Sequence, residues 1–70
     1  MNLDNIRDEI EALINCEVII HVFGSRNKME VYRGVINNVY SNIFTIFIDG
    51  NNKSFAYSDV AIGDVKIYQI

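Results

Sequence analysis

Leu3, Ile6, Ile10, Leu13 and Ile14 recur at helical spacing and fill one stripe of a helical wheel, which predicts a helix over residues 3–14. Asn2 or Asp4 can cap its start, and the acids gathered in its early turns suit the positive end of the helix dipole. Asn15 marks its stop. From Glu17 the period falls to two. Val18, Ile20 and Val22 alternate with Ile19, His21 and Phe23 in a β-branched run, a strand over 17–23 with both faces partly covered. Gly24-Ser25-Arg26-Asn27 is turn chemistry, and a long strand follows over 29–40. Gly34 in its middle marks a sharp bend or the close approach of another backbone. After Tyr40-Ser41-Asn42 comes a strand over 43–48, then Asp49-Gly50, a strong hairpin signal. Phe55 and Tyr57 share one face of a strand over 53–57. Residues 58–63 suit a single helical turn opened by a Ser or Asp cap, and a last strand covers 64–69.

A helix followed by strands in this order, with a bent second strand and one helical turn before the last, predicts a mainly β chain. The fold expected is a small Sm-like or SH3-like five-stranded barrel whose N-terminal helix covers one open end. Seventy residues form one domain, 1–70, with no linker or internal repeat. A chain of this size buries only roughly 60% of what its unfolded form exposes, so its core is thin. Cys16 is the sole cysteine and His21 the sole histidine, so neither a disulfide nor a metal site relieves that shortage. Good packing or self-association must do so.

Strand 43–48 sharpens the point. Phe44, Ile46 and Ile48 lie on one face, Ile43 and Phe47 on the other. A barrel interior consumes one set, and the second must go under the helix or into an interface.

Charge is uneven along the chain. The net value is −3, with Asp4, Asp8, Glu9, Glu11 and Glu17 facing only Arg7 at the start. Arg26, Lys28 and Arg33 outweigh Glu30 in the hairpin around Gly24. The acidic start lacks the pattern of a signal peptide, and no apolar run reaches the roughly 20 residues that span a bilayer. Cytoplasmic localisation is the expectation, in keeping with a free thiol.

Catalysis finds little footing. His21 sits mid-strand with no nucleophile and orienting acid in an obvious constellation around it. Cys16 adjoins Glu17 at a helix end, where a thiolate is disfavoured. Gly24, Gly34, Gly50 and Gly63 stand too far apart for a phosphate loop or dinucleotide fingerprint, so no cofactor is expected.

Several segments, taken together, resemble the Veg family of small bacterial biofilm-formation stimulators. They are the isoleucine-bearing helix running into a strand from Ile6 to Val22, the basic glycine turn Gly24-Ser25-Arg26-Asn27-Lys28, and Gly34-Val35-Ile36-Asn37-Asn38-Val39-Tyr40. Ile43-Phe44 and Phe55-Ala56-Tyr57-Ser58-Asp59-Val60 complete the match over roughly residues 3–67. The turn departs from the family's more basic pattern at Ser25 and Asn27. The resemblance implies an Sm-like barrel and a role in regulating gene expression rather than a reaction.

Two binding modes follow for the basic hairpin. In the favoured one, Arg26, Lys28 and Arg33, with Tyr32 and Tyr40 nearby, contact a regulatory protein, and the chain modulates transcription of biofilm or matrix genes. A homodimer is a further partner expectation. In the alternative, the same hairpin binds RNA or DNA, its aromatic rings stacking bases beside a positive groove. Six basic residues against nine acidic ones neutralise few phosphates. The Asp-x-x-Met-Asn signature with which Sm proteins hold a base is also missing after Gly34.

Overall fold

A computed structural model describes residues 3–24 and 28–70. Helix α1 (Leu3–Glu11) leads into β1 (Glu17–Phe23), β2 (Met29–Val39), β3 (Ile43–Ile48) and β4 (Asn51–Ala56). A short helix α2 (Tyr57–Ala61) then precedes β5 (Val65–Gln69). All pairings are antiparallel, in the order β4-β3-β2-β1-β5.

The helix ends sooner than its apolar stripe suggests. Ala12 still donates to Asp8 O in α fashion, but Leu13 donates to Ile10 O and Ile14 to Glu11 O, tightening the last turn. Asn15 takes a φ of 70° and ends the helix in the left-handed region that Asn tolerates. Its N–H then donates to Ile36 O at 2.8 Å, tying the helix exit to β2. Leu13 and Ile14 keep their inward contacts from this tightened segment. Asp4 falls inside the first turn and pairs with Arg7 at 3.8 Å, and Asn2, the other candidate cap, lies outside the described residues.

Gly34 explains the curl of the sheet. A Cβ on it would stand 2.4 Å from Phe47 O and 2.8 Å from side-chain carbons of Ile46 and Ile48. Only glycine lets β3 settle this closely over β2. Two residues farther along, the register slips: Ile36 pairs with Ile46 and Asn38 with Thr45, leaving Asn37 as a bulge. The extra residue is tied down, accepting from Thr45 Oγ1 at 2.6 Å and donating to Asn52 Oδ1 at 2.8 Å. Asp49 and Gly50, with φ of 48° and 85°, form the tight turn expected between β3 and β4.

The inner face is the core. Val18, Ile20, Ile36, Phe44 and Ile46 are essentially inaccessible, and Ile10 of α1 and Val65 of β5 close over them. Tyr57 stacks on Phe44 at 5.7 Å and donates from its hydroxyl to Tyr40 O at 2.6 Å. It opens α2 rather than ending a strand, and α2 carries no side-chain cap, since Ala56 stands at that position.

The sheet does not close into the barrel expected from the element order. β4 and β5 remain at opposite edges with no ladder between them. The connection between them runs through α2, which touches both edge strands and packs on α1. Ile10 of α1 and Tyr57 of α2 join the inner cluster, and Ile6, Leu13, Ile14 and Val60 pack against it.

Two stability tests follow. Gly34→Ala should cost about 2 kcal/mol or more in urea unfolding, since overpacking against backbone has no rotamer to relieve it. For Tyr57, burial pushes the phenol pKa up against the opposing effect of its hydrogen bond. The folded state therefore holds this proton more tightly. That contribution is complete below a free tyrosine's pKa of about 10 and fades as pH rises through the raised value. Tyr57→Phe should lose about 1 kcal/mol at neutral pH and flatten the alkaline limb of the stability profile.

Candidate functional site

Residues paired directly across strands share a face. On the outer face, Ile19 lies opposite Arg33 and Tyr68, His21 opposite Val31 and Lys66, Phe23 opposite Met29, and Val35 opposite Phe47. No described helix covers this side, because the apolar stripe of α1 packs on the inner cluster. Phe23, Met29, Val31, Phe47 and Tyr68 accordingly keep 40–55% of their surface exposed. Four of the five strands contribute to this exposed apolar field.

Charged groups lie within this field and beside it. Arg33 reaches diagonally to Glu17, with Nε 3.0 Å from Oε2 and Nη2 3.2 Å from Oε1. The guanidinium holds the Glu17 carboxyl below its usual range, and the carboxylate raises the Arg33 pKa in turn. Lys66 lies 5.5 Å from the Phe23 ring centre, while His21 packs its ring against Tyr68 at 4.8 Å. His21 is thus a packed surface residue. Cys16, half-buried in the turn after α1, is a free thiol.

The five residues of the basic-hairpin expectation do not form one surface. Arg26 lies outside the described residues. Lys28 is exposed at the base of the β1–β2 hairpin, where its carbonyl accepts from Gly24 N–H at 2.8 Å. Arg33 is on the outer face, and Tyr32, its neighbour in sequence, points to the inner one. Tyr32 donates to Glu30 Oε2, accepts from Lys53 Nζ at 3.2 Å, and has that ammonium 4.5 Å from its ring centre. Tyr40 lies past the far end of β2, up to roughly 26 Å along the strand from Tyr32. Its carbonyl serves Tyr57 while its side chain stays exposed.

A shallow groove of about 350 Å³ opens beside the β3–β4 hairpin, bordered by Tyr32, Ile48, Asp49, Asn51, Asn52 and Lys53. Its one cation, Lys53, already engages the Tyr32 ring and hydroxyl, and the aromatic platform is covered on that side. Arg33 is likewise matched by Glu17. Among the described residues, Tyr32 and Lys53 lie on the inner face and Arg33 on the outer one, so these three do not line one groove. Among the described residues no cluster of three or more His, Cys, Asp or Glu is placed to hold a metal. No helix among them is long and apolar enough to cross a membrane.

The outer apolar field was legible at Ile43–Ile48, where both strand faces are apolar. Its members Met29 and Val31 carry no such local signal, although the same period-two count assigns them a face.

No curated protein and no solved structure matches this chain. The family described as biofilm formation stimulator VEG, which is defined by an effect on biofilms and not by a reaction, matches residues 1–68. A match over nearly the whole length means that the chain belongs to the Veg family.

Proposed function

We propose that this chain is a non-catalytic regulatory protein of the bacterial cytoplasm. It modulates transcription, matrix and biofilm genes among its targets, by binding a regulatory protein. The observation that carries this reading is the bare apolar field on the outer face. Aromatic rings, Met29 and Val31 on this face, with Arg33 among them, have the composition of a protein-binding patch. Membership in a family named for stimulating biofilms supports the regulatory setting.

Nucleic acid is the weaker occupant. Net charge is −3, Arg33 is matched by Glu17, and Lys53 is engaged on the opposite face from Arg33. Few free cations remain to release counterions from phosphates.

The test pairs genetics with titration. In a strain lacking the gene, wild-type chain should restore a matrix-gene reporter. Val31→Glu with Phe47→Glu, shown by circular dichroism to remain folded, should fail to restore it. Purified chain should bind neither single-stranded RNA nor duplex DNA at physiological salt. Full rescue by the double variant, or nucleic-acid binding that weakens steeply with salt, would sink the reading.

A further inference from the structure

We infer that the free edge of β5 pairs with β5 of a second copy of this chain, antiparallel about Ile67, joining two sheets into one. The phase of the ladder exposes the necessary groups. Phe23 N–H donates to Asp64 O at 2.7 Å and Ile70 N–H to Glu17 O at 3.3 Å. Bonding residues alternate along an antiparallel pair, so Lys66 and Tyr68 also turn their backbone groups toward β1. Those of Val65, Ile67 and Gln69 turn outward. The strand has no proline and no bulge, its register against β1 is regular, and Lys66 is its one charged residue.

The sequence of β5 is complementary to itself. A two-fold axis at Ile67 sets Ile67 against Ile67 of the second copy and Val65 against Gln69. It also sets Lys66 against Tyr68, twice. No like charges meet, and each ammonium reaches an aromatic ring across the seam. Phe23 and His21, already in contact with Lys66 and Tyr68 respectively, extend these contacts into both copies. Pairing would also shield Tyr68 and Ile70, which are 48% and 60% exposed.

The other edge offers less. Tyr57 N–H donates to Asn42 O, so Asn52, Ser54 and Ala56 are the outward groups of β4. Asn52 is already held by Asn37, and Phe55 is buried in its own core, leaving little apolar surface to gain. A thin single-chain core without a disulfide gives self-association at β5 an evident benefit.

The seam shares Tyr68 and Phe23 with the outer field, whereas Val31 and Phe47 lie apart from it, so the experiment separates the two. Sedimentation of the full chain over a concentration series should show the weight-average mass rising from 8.0 kDa toward twice that value. Gln69→Pro removes an outward N–H while sparing the β1 ladder and should hold the mass at one chain. Tyr68→Lys sets lysines face to face and should do the same, which covers the case in which the proline variant misfolds. Phe47→Glu, away from this edge, should dimerise normally. Amide exchange at Ile67 and Gln69 should slow as concentration rises, with Asn52 and Ser54 unchanged. A strict monomer at every concentration overturns the inference. So do a dimer unaffected by both edge variants, and concentration-dependent protection at Asn52 and Ser54 instead.

Discussion

The carbonyl of Phe47 occupies the space that a side chain on residue 34 would need, and the rest of the molecule is arranged around that contact. Because β3 crosses so near to β2, Ile46 and Ile48 reach over the strand, and the sheet curls around one interior. The bulge at Asn37 continues the bend, and its side chain links β3 to β4 through Thr45 and Asn52. Curling in one direction gives the sheet an inside and an outside. With so few residues, only the inside can be filled. α1 and α2 place Ile10 and Tyr57 there and leave nothing for the other surface.

That asymmetry connects the fold to the regulatory reading. A core of this size is completed by one helical stripe and one buried tyrosine, yet the strands carry apolar residues on both faces. The surplus on the outside is a field held on β-ladders, whose side chains are fixed in direction by the pleat. A rigid apolar surface can bind a protein without a large ordering cost. The unclosed seam between β4 and β5 adds two strand edges to this inventory, of which β5 is the more apolar. The Veg family's description as a biofilm stimulator supplies a biological setting, and the bare outer face is where the proposed partner would bind.

Much of the fold was legible because local periodicity determines strands well. β1 and β3 begin and end where the apolar alternation does, and Asp49-Gly50 gives the turn between β3 and β4. The helix end was not, because Leu13 and Ile14 keep helical spacing while the backbone has already tightened. Closure of the barrel was not legible either. Whether two edge strands meet depends on α2 packing against α1, and no local pattern encodes that contact. At the candidate site, proximity in sequence misled: Tyr32 and Arg33 are consecutive, so on a strand they face opposite ways. Ion pairing hid a second fact, since the partner that neutralises Arg33 is Glu17, sixteen positions away.

The account's central claim is that one sheet face is sealed and the other bare. Solvent paramagnetic relaxation, read residue by residue on the free protein by NMR, measures this directly. Side-chain protons of Met29, Val31 and Phe47 should relax strongly with added paramagnetic agent, while those of Phe44, Ile46 and Tyr57 remain protected. Equal protection of both sets would contradict the account, because it would mean that the outer surface is already covered.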